Sequence, residues 1–127
     1  MRHSLFLLPA LILAPAAAHA APGDVNAQEF YLEASELMDK GMAAMFDKRT
    51  KPRMAQLRDA GERAKVANDA AVKRGKPIYC VSDAQRKKGL NPQMAMRMLG
   101  AVPEAQRKRS TLAQAWRAAL VREYPCG

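Results

Sequence analysis

The chain has 127 residues, with 21 Lys or Arg against 12 Asp or Glu and a formal net charge of +9. That length holds one hydrophobic core and no second domain. Its two histidines, His3 and His19, both precede residue 21. Beyond that point there is no imidazole, which removes most general-base and metal-ligand chemistry.

Met1-Arg2-His3, the apolar stretch from Leu5 to Ala18 and the small-x-small sequence Ala18-His19-Ala20 have the layout of a secretory signal peptide over residues 1–20. The stretch falls short of the ~20 residues a span requires and contains Pro9 and Pro15, so no transmembrane anchor is expected. Residues 21–127 then form a single domain in the periplasm or outside the cell. In that oxidising compartment the two cysteines, Cys80 and Cys126, are expected to form a disulfide. Closing a loop of roughly 47 residues stabilises a fold by about 4 kcal/mol in the chain-entropy picture.

Asn26 and Glu29 have capping-box spacing, and Phe30, Ala34, Leu37, Met38, Gly41 and Met45 follow on one helical stripe. The spacing predicts a first helix that ends near Phe46 or Asp47, with Glu29, Glu33, Glu36 and Asp47 on its polar side, in water or against a basic partner. Thr50-Lys51-Pro52 opens a second helix running to about Arg74, where Gly75 and Pro77 stop it. Its apolar positions Met54, Leu57, Ala60, Ala64, Ala67 and Ala71 are mostly small and favour close approach of another helix. Residues 76–83 read as an irregular link carrying Cys80, and Arg86, Lys87 and Lys88 fall in the loop beside it. Asn91-Pro92 caps a short helix over Met94, Ala95, Met98 and Leu99, stopped by Gly100. Pro103-Glu104 opens another short turn or helix. Thr111 and Gln114 then form a capping box before Leu112, Ala115, Trp116, Ala119 and Leu120, and Tyr124-Pro125 ends the last helix. No strand-like alternation competes, so the fold class is all-α, a small disulfide-stapled bundle of about four to five helices.

Three cationic clusters stand out: Lys48-Arg49-Lys51-Arg53, Arg86-Lys87-Lys88 and Arg107-Lys108-Arg109. Residues 24–47 carry 6 acidic and 1 basic side chain, whereas from residue 48 onward 19 are basic and 6 acidic. A charge run is usually a solvated face; the functional alternative is a patch for an acidic protein, a lipid headgroup or a nucleic acid. Nucleic acid is disfavoured, because no aromatics for base stacking interleave with the charges and the chain is read as exported. Met94, Met96 and Met98 have spacing that soft Cu(I) favours. On a helix Met96 points about 160° from the other two, and Arg97 adds a positive charge, so the reading is core packing and no metal or cofactor. Glu29, Glu33 and Glu36 share one polar face without the cleft that an acid and base pair needs. Ser35, Ser82 and Ser110 have no histidine to activate them. No residue is assigned a catalytic role.

Tyr79-Cys80, Asn91-Pro92-Gln93 opening a helix, Leu99, Pro103-Glu104, Ala115-Trp116-Arg117-Ala118-Ala119-Leu120 and Tyr124-Pro125-Cys126 together resemble the C-terminal part of the Rap/Tai-type immunity proteins. That family is exported, small and helical, related in fold to HdeA-like periplasmic proteins. The resemblance implies a non-catalytic protein that binds and blocks a peptidoglycan amidase-type effector delivered by type VI secretion, with a homodimer among the assemblies it allows. The stretch Ala60-Gly61-Glu62-Arg63-Ala64 lacks the further cysteine and the glycine-rich sequence that family members carry before the first matched cysteine. Arg86, Lys87 and Lys88 are the expected partner contact, because the neighbouring disulfide would hold them in place. A protective HdeA-like or structural role is the alternative, and binding to anionic envelope surfaces the third.

Overall fold

The computed structural model describes residues 20–127; the expected leader, up to residue 19, lies outside them. Helix α1 (Ala27–Asp39) starts at the predicted cap, with the Asn26 side chain accepting from the backbone N–H groups of Gln28 and Glu29. Phe30, Ala34 and Leu37 point inward. The helix stops at Asp39, short of the expected Phe46, because Gly41 adopts φ +58°. That left-handed conformation turns the chain away from the core. Gly41–Phe46 tighten into a 3-10 segment with no buried residue, so Met45 leaves the apolar stripe that its spacing assigned it to.

Helix α2 (Thr50–Lys73) buries Ala60, Ala64 and Ala71, and these small residues admit α6 (Leu112–Glu123) at close range. Where a loop was expected beside Cys80, the chain forms the six-residue helix α3 (Asp83–Lys88). The Ser82 hydroxyl accepts from the Gln85 backbone N–H at 3.1 Å while the Gln85 side chain accepts from the Ser82 N–H at 2.8 Å, a capping box that starts this helix. Helix α4 (Pro92–Gly100) is capped by Asn91, and α6 by the reciprocal Thr111–Gln114 pair, both as expected. Helix α5 (Glu104–Lys108) is short. The fold is all-α, with six α-helices and no named strand among the described residues.

Helix α6 is central, touching α1, α2, α4 and α5. Phe30, Met98, Leu99, Val102 and Leu112 are fully buried around it. Met98 is a core residue as expected. Met96, expected to face away, is half-buried and packs against the same core. The segment before α1 is tied to the start of α6: Ala27 N–H donates to Ser110 O at 2.9 Å, and Leu112 N–H to Val25 O at 2.7 Å.

Candidate binding surface and groove

Cys80 and Cys126 are joined, with Cα atoms 5.0 Å apart, and Cys80 N–H donates to Tyr124 O at 2.8 Å. Behind this junction, buried Asn68 on α2 holds the incoming strap. Its Oδ1 accepts from the N–H groups of Ile78 at 2.8 Å and Tyr79 at 3.2 Å, and its Nδ2 donates to Tyr79 O at 3.1 Å. Residues 78–80 therefore run between α2 and the chain end with all three of their N–H groups satisfied. Asn68 was not singled out from the sequence, although a polar residue four positions after Ala64 on a stripe of alanines is the available signal.

The strap delivers α3 to the surface, where every residue from Ser82 to Gln93 is exposed. Arg86, Lys87 and Lys88 lie on this helix rather than in a loop. Among the described residues none of the three has a carboxylate within ion-pair distance. The other two cationic clusters are partly engaged within the molecule, with Lys48, Lys51 and Arg109 left exposed. Arg49 reaches Asp47 at 3.0 Å and Glu36 at 3.1 Å, while Arg53 pairs with Glu33. Asp47 also accepts from Lys40 at 2.8 Å. The acidic face of α1 thus meets the basic start of α2, and the guanidinium of Arg49 and the ammonium of Lys40 hold the Asp47 carboxyl well below the usual carboxylate range. In the third cluster Lys108 lies 3.4 Å from Glu104. Arg107, expected at the surface with its neighbours, is buried: its Nε donates to Gln28 Oε1 at 2.7 Å and its Nη1 to the carbonyls of Gly100 and Val102.

Beside α3 lies a groove of about 760 Å³. One wall is the α2 face of Met54, Leu57, Arg58, Gly61, Lys65 and Asp69; the other is α3 and the start of α4, including Arg86, Leu90 and Pro92; Trp116, Leu120 and Tyr124 line its base. Most of these α2 positions lie three or four residues apart along one side of the helix, with Leu57 also packed against the core and Gly61 beside Trp116 of α6. A second hollow of about 370 Å³ shares Met54, Leu57 and Pro92 with the first and is lined by Phe30, Leu37, Met38 and Met96. Lys65 holds Asp69 at 2.6 Å and keeps its carboxyl below the usual range, while burial pushes the Tyr79 phenol up. Next to this hollow the Gly41–Phe46 segment exposes Met42, Met45 and Phe46, the last at 91%.

Four of the residues weighed for catalysis make other interactions. Ser82 caps α3, Ser110 Oγ donates to Gln106 O at 2.6 Å, and Glu33 and Glu36 face arginines. Among the described residues no three His, Cys, Asp or Glu side chains come together in a metal-ligating group, and no helix is long and apolar enough to cross a membrane. Comparison of the chain with protein-family models, with curated proteins and with solved structures finds no match.

Proposed function

We propose that this chain is an exported, non-catalytic binding protein that occludes an acidic surface of another protein, a peptidoglycan amidase-type effector being the partner class implied by the resemblance of its C-terminal half. One observation carries the reading. Of three cationic clusters, two are partly engaged in internal ion pairs or buried, leaving Lys48, Lys51 and Arg109 exposed, and Arg86-Lys87-Lys88 alone is presented whole, on an exposed helix. Its anchor is the Cys80 strap, fixed by the disulfide and by Asn68. A pre-ordered cationic element loses little entropy on docking and accelerates encounter with an acidic partner.

The test is stopped-flow association with a peptidoglycan amidase-type effector. Lys87→Glu with Lys88→Glu is expected to slow association about tenfold or more at low salt, with the difference shrinking as salt rises and the melting temperature unchanged. Absence of inhibition at stoichiometric protein would reject the reading. The protective alternative is favoured by the exposed apolar turn of Met42, Met45 and Phe46, which suits an unfolded client. Suppression of client aggregation that Phe46→Ser abolishes, without amidase inhibition, would put that alternative first.

A further inference from the structure

The residues just past the expected leader are bound into the fold. Ala20 is exposed, Ala21 half-buried and Gly23 buried. Pro22–Asp24 form a single 3-10 turn that packs on α2 and on α6. Two reciprocal bonds close it: Asp24 N–H donates to Ala21 O at 2.9 Å, and Ala21 N–H donates to Asp24 Oδ2 at 2.9 Å. On the α2 side, Gly23 N–H donates to Asp59 Oδ2 at 2.8 Å. Arg63 Nη1 donates to Asp24 Oδ1 at 2.8 Å and lies 3.4 Å from Asp59 Oδ2. Gly23 is the point of close approach, since a Cβ there would lie 2.7 Å from Asp59 Oδ2 and 3.2 Å from Ala60 N. The chain then runs into the backbone bonds that tie Val25 and Ala27 to the start of α6. Residues 21–27 therefore act as a clasp across α2 and α6.

While residue 21 is an internal amide, the charges of this clasp do not balance. Asp24 and Asp59 are negative and only Arg63 is positive among the three groups that meet. Of the charges on α6, Arg117 and Arg122 are exposed and Glu123 is paired with Arg97. The small-x-small sequence ends at Ala20, so cleavage there makes Ala21 the first residue. Its nitrogen is already within hydrogen-bond distance of Asp24. A neutral donor then becomes a charge-assisted one, and a second cation offsets the second carboxylate. A start one residue earlier would set the ammonium about 3.8 Å further along the chain.

We propose that removal of the leader between Ala20 and Ala21 completes this clasp: the new α-ammonium of Ala21 pairs with Asp24, and through it with Arg63 and Asp59 on α2, so that the processed chain is more stable than the unprocessed one. A leader peptidase hydrolyses the bond from the Ala20 carbonyl carbon to the Ala21 nitrogen. The hydroxyl of water goes to that carbon and its hydrogen to the nitrogen; ionisation of the new Ala20 carboxyl leaves the amine protonated at neutral pH. The inference rests on the export reading and not on the partner or on Arg86-Lys87-Lys88.

Intact-mass measurement of the exported protein locates its first residue, expected to be Ala21. Purified protein starting at Ala21 would then be compared with one carrying a short Gly-Ser extension ahead of Ala21, which keeps the N–H but moves the ammonium away. At neutral pH the Ala21 start is expected to melt about 1–5 °C higher. A group whose pKa is raised by folding contributes fully below its unfolded pKa, about 8 for an α-amine, and that contribution is lost as pH rises through the folded value. The two melting curves should therefore converge between about pH 8 and 10. Asp24→Asn should abolish the difference at every pH and return the α-amine, followed by NMR titration, to its ordinary value. Coincident melts at neutral pH, an α-amine that titrates at its ordinary value in the unsubstituted protein, or an exported protein that starts elsewhere than Ala21 would each overturn the proposal while leaving export intact. Recovery of the protein only with its leader attached would overturn the export reading and the proposal together.

Discussion

Arg107 is a guanidinium at 6% exposure whose hydrogen-bond partners include no carboxylate. The carbonyls of Gly100 and Val102 belong to the last residues of α4 and just beyond it, where a helix carries partial negative charge and lacks intrahelical donors. Tyr31 adds a ring face 4.2 Å from the guanidinium carbon. Arg107→Ala would strand those carbonyls and is expected to destabilise the fold by roughly 2–4 kcal/mol in urea unfolding. Arg107→Lys should recover little, since one ammonium cannot reproduce the fork that spans Gln28 and two carbonyls. Recovery by lysine would mean that charge alone matters there. The sequence could not reveal this role: Arg107, Lys108 and Arg109 read alike, and only the helix rotation of about 100° per residue separates the buried one from its exposed neighbours. Asn68 is the second such residue. Losing its three hydrogen bonds to the strap in Asn68→Ala should cost about 2–4 kcal/mol, and it should raise hydrogen exchange at Ile78 and Tyr79 first.

At the scale of elements, side-chain periodicity marked the interior helices well and their ends less well. The caps at Asn26, Asn91 and Thr111 and the small stripe of α2 were legible, because each depends on residues within one or two turns. The end of α1 was not, since apolar spacing continues through Met45 while the backbone at Gly41 breaks it. Gly41→Ala should cost about 1–2 kcal/mol from the left-handed backbone alone, as nothing crowds the added Cβ. Gly61 behaves oppositely: it is helical, with only ordinary contact awaiting a Cβ, so Gly61→Ala should stabilise by about 0.5–1 kcal/mol. A matched pair of thermal melts checks both signs. The groove was invisible in the sequence for a related reason. Met54 and Leu57 sit on the predicted apolar stripe of α2, and only the tertiary arrangement shows that both border open hollows, Leu57 while also packed against the core. Within α4, Met98→Ala should cost about 2–5 kcal/mol, and Met96→Ala a measurable fraction of that because Met96 also lines the core.

Across the whole molecule, the charge asymmetry of the sequence is resolved partly by folding the acidic α1 against the basic start of α2. This has a consequence for pH. The carboxyls of Asp24, Asp47, Asp69 and Glu123 are all held below their usual range, each chiefly by a hydrogen bond to Arg63, Arg49, Lys65 and Arg97 respectively. A carboxyl whose folded pKa is depressed stabilises the fold fully above its unfolded pKa of about 4, and that contribution is lost as pH falls through the folded value. No histidine lies between residues 20 and 127, so among the described residues no imidazole titrates in the neutral range. Melting temperature should therefore be nearly flat from about pH 6 to 8 and fall progressively below about pH 4. Because Asp47 accepts from both Arg49 and Lys40, Asp47→Asn should lower the neutral plateau and make the acid decline shallower. Thermal melts of both proteins from pH 2 to 8 would show this, and a stability step near pH 6.5 would assign the dominant titration to some other group. The same acid limb bears on the two functional readings. An occluding binder needs its stapled surface intact and should lose partner affinity along with stability below about pH 4, whereas a protective protein should gain client binding there. Measuring amidase inhibition and client protection on one pH axis separates them by the sign of the change.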